Sequence, residues 1–137
     1  MRNETVANDP GRRPRLVVVG NGMAGMRAVE ELLARAPDRF AITVIGAEPQ
    51  PNYNRIQVSS VLAGDKTLDE IVINPRSWYG ERGIALMTGS AATAIDCSAR
   101  QVVLADGRAV AYDKLLLATG SKPLAPPIPG LALPNVR

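Results

Sequence analysis

Short apolar runs, one helical pattern and a glycine-rich turn organise the first third of the chain. Residues 15–19, RLVVV, form a nearly continuous apolar run, which is typical of a strand buried on both faces of a parallel sheet. Beyond the turn, helical i, i+3, i+4, i+7 spacing relates Val29, Leu32, Leu33 and Ala36. Pro37 ends this pattern, and residues 40–45 predict a second strand. The strand–helix–strand unit predicts a parallel pair with a right-handed crossover.

The rest of the chain predicts short helices, one more strand of this kind and a group of antiparallel strands. The predicted helices are 57–63 and 77–82, and the predicted strands are 84–87, 91–95, 101–104, 108–112 and 114–118. Asp106-Gly107 is a strong hairpin signal between two of these strands. The predicted fold class is therefore α/β and Rossmann-like: a parallel sheet with a crossover helix and an antiparallel β insertion.

Composition divides the chain into three parts. Residues 1–14 are polar and read as a flexible arm, residues 15–121 as the domain, and residues 122–137 as a proline-rich linker. Within residues 1–15, four arginines stand against two acidic residues, which accounts for most of the net charge of +3. A basic arm suits nucleic acid or anionic lipid, but a solvated terminus is the simpler interpretation. We therefore expect neither a nucleic-acid nor a membrane partner.

Several kinds of chemistry are excluded by residues that the sequence lacks. It contains no histidine, which excludes Ser-His or Cys-His catalysis and His-ligated metals within these residues. Cys97 is the single cysteine, so no internal disulfide or redox pair can form, and we interpret it as a structural thiol. No secretory signal or membrane-spanning run is visible. A cytoplasmic protein is the expectation.

The main candidate for chemistry is a G-x-G-x-x-G motif formed by Gly20, Asn21, Gly22, Met23, Ala24 and Gly25. It lies between a predicted strand and a predicted helix, the context that a dinucleotide site requires. Gly20 permits the tight turn, Gly22 lets a pyrophosphate approach the backbone, and Gly25 lets helix and strand pack closely. Free N–H groups and the helix dipole then face the phosphates. The alternative is a glycine-rich turn without a ligand.

An acidic residue supports the first interpretation. Glu48 comes 23 positions after Gly25, just beyond the second predicted strand. A carboxylate at about this distance binds ribose hydroxyls in dinucleotide-binding folds, and it disfavours a 2′-phosphate on that ribose. The alternative is a solvated loop glutamate ahead of Pro49.

Further motifs carry a family resemblance. In order, they are GNGMAG, Glu48-Pro49, Pro51-Asn52-Tyr53-Asn54-Arg55, Ser59-Ser60, Ile95-Asp96, Ala105-Asp106-Gly107, Tyr112-Asp113-Lys114-Leu115 and Ala118-Thr119-Gly120-Ser121. Together they resemble the start of the pyridine-nucleotide-disulfide oxidoreductase class. Within that class, the combination is most similar to the large subunits of NAD(P)H nitrite reductases, which act in nitrate assimilation. Ferredoxin-, rubredoxin- or NADH-oxidase-type reductases share most of these motifs and stay open as alternatives.

The resemblance implies FAD as cofactor, NAD(P)H as electron donor in the complete enzyme, and roles for further positions. Arg55 would lie near the pyrophosphate or the flavin edge, Ser59 on the flavin side, and Ala92 at the adenine. Ala118, Thr119 and Gly120 would lie against the adenosine diphosphate half. Without the resemblance, a surface ion pair explains Arg55 equally well. Thr119 and Gly120 would then be a simple strand end. The predicted cofactor-binding residues are Gly20, Asn21, Gly22, Met23, Ala24, Gly25, Glu48, Arg55, Ser59, Ala92, Ala118, Thr119 and Gly120; no catalytic residue or metal ligand is predicted.

The resemblance also implies parts that these residues do not contain. In this class, a second G-x-G-x-x-G domain binds the nicotinamide cofactor, and a later strand ending in Gly-Asp holds the flavin; neither is in the sequence. We therefore expect an incomplete FAD-binding domain, a fragment whose partners are the missing NAD(P)-binding and downstream domains or subunits. Two functions stay open beside the FAD segment of a reductase: a non-catalytic module that binds NAD or ADP, and a truncated remnant.

Overall fold

The computed structural model describes residues 11–122, 124 and 126–130. These residues form two sheets and three α-helices. In chain order the elements are β1 (Arg15–Val19), α1 (Met23–Arg35), β2 (Ala41–Gly46), a 3-10 turn (Arg55–Gln57), α2 (Val58–Leu62), a second 3-10 turn (Asp69–Ile71), α3 (Arg76–Glu81), β3 (Ala85–Thr88), β4 (Ala92–Asp96), β5 (Gln101–Leu104), β6 (Ala109–Ala111) and β7 (Lys114–Leu117).

The first sheet has four parallel strands in the order β3-β2-β1-β7. The chain leaves β1, crosses through α1 and returns as β2, as the hydrophobic pattern predicts. It then adds β3 outside β2, and only much later places β7 on the other side of β1. This reversal on either side of the first strand is the strand order of a doubly wound, dinucleotide-binding sheet. The predicted fold class is confirmed.

The core lies on both faces of the parallel sheet, because successive side chains of each strand point to opposite faces. Leu16 and Val18 pack with Met26 of α1 in a first cluster, which also contains Tyr79 of α3. Val17 and Val19 face the other way, into a second cluster that the antiparallel sheet covers. The nearly continuous apolar run of β1 thus reflects burial on both faces.

The second sheet is antiparallel, with the order β4-β5-β6. Its hairpin forms at the predicted place: the Leu104 N–H donates to the Arg108 carbonyl at 2.8 Å, and Gly107 adopts φ 85° in the three-residue loop between them. Val102 and Leu104 point inward to the second cluster. The sheet is therefore a lid over one face of the parallel sheet.

The middle of the chain is less regular than the pattern predicts. The predicted helix 57–63 is a 3-10 turn followed by the five-residue α2, and the 3-10 turn Asp69–Ile71 was not predicted. The predicted helix 77–82 begins one residue earlier, directly after Pro75. Tyr53 forms an isolated antiparallel bridge with Val72, which ties this segment together without a strand on either side.

Asp113 ties the beginnings of β1 and β7 together. Its carboxylate accepts from the Arg15 backbone N–H at 2.6 Å and from the Arg15 guanidinium at 3.2 Å, and Arg12 adds an ion pair at 3.0 Å. The Arg15 side chain, its backbone N–H and the nearby Arg12 charge hold the pKa of Asp113 well below its usual range. This cluster lies at the amino ends of the strands.

The predicted arm and linker fall mostly outside the described residues. Of residues 1–14 the structure describes 11–14, where Arg13 pairs with Asp38 at 2.8 Å. Of residues 122–137 it describes 122, 124 and 126–130, which contain no helix or strand. Among the described residues, no helix combines the length and the apolar character needed to cross a bilayer.

Candidate functional site

Most of the predicted site residues lie where the parallel strands end. Gly20 follows β1, Glu48 follows β2, Ala92 comes soon after β3, and Ala118 follows β7. Parallel strands place all these ends at one edge of the sheet. In sheets of this kind, ligands bind outside the carboxyl ends at the point where the strand order reverses. Here that point lies between β1 and β7, where Gly20 and Ala118 meet.

Two glycines of the loop are required by packing. Gly20 has φ +116°, and a Cβ there would lie 2.0 Å from the Ala118 carbonyl oxygen. A Cβ on Gly25 would lie 2.6 Å from the Gly20 oxygen and 3.1 Å from the Ala118 Cβ. The roles predicted for these two glycines, a tight turn and close helix–strand packing, thus agree with this geometry, and Ala118 is the residue against which both pack.

Gly22 differs, because a Cβ at this position would meet nothing within 4 Å. Gly22 is the N-cap of the 13-residue α1, with extended backbone at φ −97° and no side-chain cap. Among the described residues, no acceptor is found for the N–H groups of the first turn, Met23 to Gly25; the Met26 N–H bonds back to the Gly22 carbonyl. Uncapped donors at the positive end of a helix form a site for an anion such as a phosphate.

Glu48 and Arg55, predicted separately, are partners. The Arg55 guanidinium donates to Glu48 Oε1 at 2.5 Å, and the Tyr53 hydroxyl donates to Glu48 Oε2 at 2.6 Å. The hydrogen bond from Tyr53 and then that from Arg55 lower the pKa of Glu48. Arg55 also stacks over the Tyr53 ring, 5.4 Å from its centroid. The ion pair proposed as an alternative for Arg55 is therefore present, with Glu48 as its partner.

The Glu48 carboxylate keeps the capacity to bind a ribose. An ionised carboxylate accepts about four hydrogen bonds. Tyr53 and Arg55 occupy one on each oxygen, and the Glu48 side chain is 47% exposed. Both oxygens can thus accept from a diol, and the two protein donors keep the group ionised and oriented.

The Asn21 amide contacts a polar cluster that sequence reasoning missed. Its Oδ1 accepts from the Tyr79 hydroxyl at 2.7 Å, and its Nδ2 donates to the Gln50 carbonyl at 3.4 Å. Tyr79 lies within a predicted helix, but nothing in the spacing marked it as a neighbour of the glycine loop. Tyr53 belongs to a motif of the resemblance, yet no role followed from it.

The remaining predicted residues are placed less uniformly. Ala92 packs against the second cluster, which also contains Val19 at the end of β1. Thr119 and Gly120 are exposed directly beyond β7, and Gly120 has φ +74°. Ser59 is exposed on α2, where its carbonyl accepts from the Ala63 N–H. Among the described residues, no hydrogen bond joins Ser59 to the glycine loop or to Glu48.

Comparison with known sequences and structures follows the same line. The sequence pattern of the pyridine nucleotide-disulphide oxidoreductase family matches residues 14–137. Over 119 residues the chain is 49% identical to the assimilatory nitrate reductase electron transfer subunit of Bacillus subtilis, covering 87% of this chain and 15% of the relative. Over 118 residues it is 49% identical to the nitrite reductase [NAD(P)H] of the same organism, covering 86% and 15%. The chain thus spans about 15% of the length of these curated relatives.

A solved structure shares the architecture. The crystal structure of NADH:rubredoxin oxidoreductase from Clostridium acetobutylicum aligns with a TM-score of 0.75 and 30% sequence identity, covering 86% of this chain and 30% of that one. The similarity extends over most of the chain. The match indicates the same fold for the described residues.

Proposed function

The chain belongs to the pyridine nucleotide-disulphide oxidoreductase family, and we propose that residues 15–121 are the FAD-binding segment of an NAD(P)H-dependent flavoprotein. The observation that carries the proposal is Gly22: an uncrowded position beside uncapped helix donors, at the point of the sheet where the strand order reverses. Such a position admits a pyrophosphate against the backbone, and a side chain would fill it.

The other residues fit the adenosine end of the same cofactor. We propose that the first-turn N–H groups of α1 bind the pyrophosphate, and that the Glu48 carboxylate accepts from the hydroxyls of the adjacent ribose. Ala92 is proposed to contact the adenine through its backbone, and Ala118, Thr119 and Gly120 to lie along the adenosine diphosphate. Arg55 adds a positive charge near the ribose and holds Glu48 in place. When bound, FAD supplies the capacity to accept a hydride; these residues supply position and electrostatics.

The activity of the whole protein is a further part of the proposal. The similar proteins include an electron transfer subunit of a nitrate reductase, an NAD(P)H nitrite reductase and an NADH-rubredoxin oxidoreductase. We propose electron transfer from NAD(P)H through FAD in a protein of the nitrite reductase type. The 137 residues contain one G-x-G-x-x-G motif, so the nicotinamide site is assigned to other domains or subunits.

A binding experiment tests the cofactor assignment. The purified 137-residue chain is titrated with FAD, ADP, FMN and NAD⁺ by isothermal calorimetry, with flavin fluorescence as a second readout for FAD. We expect FAD and ADP to compete for one site, and FMN, which lacks the adenosine diphosphate, to bind at least tenfold more weakly. Preference for NAD⁺ over FAD would instead support a nicotinamide or sensor module, and binding of none of the four would overturn the proposal.

A further inference from the structure

A buried tyrosine links the glycine loop to the segment that carries Glu48. Tyr79 of α3 is 1% exposed, and its ring packs in the first core cluster, edge-on to Trp78 at a centroid distance of 5.2 Å. Its hydroxyl donates to Asn21 Oδ1 at 2.7 Å and accepts from the Asn52 backbone N–H at 3.4 Å. One hydroxyl therefore contacts two segments that are 31 residues apart in the sequence.

The contacts form a closed hydrogen-bonded loop through Asn21, Tyr79 and residues 50–52. Asn21 Nδ2 donates to the Gln50 carbonyl, and Gln50 is joined to Asn52 through Pro51. Asn21, Tyr79 and the stretch 50–52 thus hold one another in place. Glu48 lies two residues before Gln50. These hydrogen bonds therefore constrain the distance between the glycine loop and the start of the segment that carries the Glu48 carboxylate.

Further hydrogen bonds hold Asn52, and with it this hydrogen-bonded loop, in place. Asn52 is 2% exposed, and its Nδ2 donates to Asn74 Oδ1 at 2.7 Å; Asn74 Nδ2 then donates to the Glu30 carboxylate at 2.9 Å. Because a carboxylate only accepts, Glu30 sets the direction of both amides. Glu30 belongs to α1, the helix whose first turn faces the anion site, so the anchor returns to the element that begins at the glycine loop.

We propose that Tyr79 is a positioning residue of the nucleotide site: its hydroxyl sets the separation between the glycine loop and Glu48, and so governs affinity for ligands that span a diphosphate and its ribose. The proposal rests on the proposed function, because it assigns those two contacts to one ligand. The ring of Tyr79 stabilises the core, whereas the hydroxyl acts on the site.

The test separates these two contributions. Tyr79→Phe keeps the buried ring and removes the hydroxyl; Tyr112→Phe, a buried tyrosine in the second core cluster, is the matched control. Dissociation constants for FAD and ADP are measured well below the unfolding temperature. We expect Tyr79→Phe to weaken both by about tenfold, the equivalent of one lost hydrogen bond, and Tyr112→Phe to change them less than twofold.

A double-mutant cycle distinguishes a positioning role of Tyr79 from a purely structural role. If Tyr79 acts through the placement of Glu48, its substitution has less effect once Glu48 is gone: in a Glu48→Ala background, Tyr79→Phe should weaken ADP less than threefold. Asn21→Ala, which removes the acceptor of the Tyr79 hydroxyl, serves in the same cycle if Tyr79→Phe does not fold.

Each outcome is informative. Non-additive losses with an unaffected control support the positioning role. Parent-like affinity in Tyr79→Phe, or losses that simply multiply with Glu48→Ala, would overturn it and leave the proposed function intact. A parent chain that binds neither FAD nor ADP would overturn the proposed function, and the positioning role with it.

Discussion

Replacing Gly22 by alanine distinguishes an effect on ligand affinity from an effect on folding stability. The new Cβ meets no protein atom within 4 Å, and φ −97° is accessible to alanine. Alanine is a poorer N-cap than glycine, which destabilises the helix. It also lowers the conformational entropy of the unfolded chain, which stabilises the folded state by about 0.4–1 kcal/mol, so the two effects nearly cancel. We expect the free energy of unfolding to change by no more than about 0.5 kcal/mol.

Affinity for FAD should fall sharply in the same variant. The methyl group would occupy the space that we assign to the pyrophosphate and push it away from the first-turn N–H groups of α1. Losing one or two charge-assisted hydrogen bonds costs about 1.5–3 kcal/mol each, which corresponds to a loss of at least tenfold in affinity. Calorimetric titration with FAD and with ADP measures this loss directly, and thermal unfolding without ligand measures stability.

Gly25→Ala and Gly80→Ala are the matched controls. At Gly25 the Cβ would lie 2.6 Å from a backbone oxygen, so we expect overpacking of about 1–3 kcal/mol, only partly offset by the helix propensity of alanine. Gly80 lies in α3 with open space at its Cβ, so we expect Gly80→Ala to leave FAD affinity unchanged and to raise the free energy of unfolding by up to about 1 kcal/mol through helix propensity. Parent-like FAD affinity in Gly22→Ala would refute the assignment of the loop as the pyrophosphate site.

Three further predictions concern the role of Glu48 in affinity, the oxidation of NADH, and stability in acid. Glu48→Ala should weaken FAD by about ten- to a hundredfold in the same titration, because two charge-assisted hydrogen bonds are removed; unchanged affinity would make the residue a bystander. The 137-residue chain mixed with FAD, NADH and a dye acceptor should not oxidise NADH above the free-FAD background, since hydride transfer requires a positioned nicotinamide; rapid, saturable oxidation would contradict this. Folding lowers the pKa of Asp113, so its ionised carboxylate stabilises the folded state fully above about pH 4, and this stabilisation is lost as the pH falls further. The urea midpoint should therefore fall less steeply with acidification in Asp113→Asn than in the parent.

The parts of the fold that follow from local pattern were predictable. The apolar run of β1, the helical spacing of α1 and the glycines between them are read from neighbouring residues, and the structure confirms all three. The irregular segment after Glu48 was not predictable to the same degree. Its shape depends on contacts such as the Tyr53–Val72 bridge, which no periodicity announces.

The site divides in the same way. Glycine positions and the spacing to Glu48 pointed to a nucleotide loop, because steric and electrostatic requirements leave a mark in the sequence. The pairing of Glu48 with Arg55, and the contact of Tyr79 with Asn21, 58 residues earlier, depend on how loops fold back on the sheet. Side chains that hold a site in place can be of many types, so their identity alone does not reveal them.

The position of β7 has a consequence for the order in which the molecule assembles. β1 pairs with β2 across roughly 26 residues, but with β7 across roughly 98, as in the register of Val18 with Val44 and Leu116. Closing the longer loop costs about 1 kcal/mol more in chain entropy, and non-local pairings of this kind slow folding. The local strand–helix–strand unit should therefore form first, with β7 arriving late in the folding reaction. Because Ala118 packs against Gly20 and Gly25, we expect the glycine loop to acquire its final shape only at that last step. A refolding experiment that monitors flavin binding should accordingly follow the slowest phase.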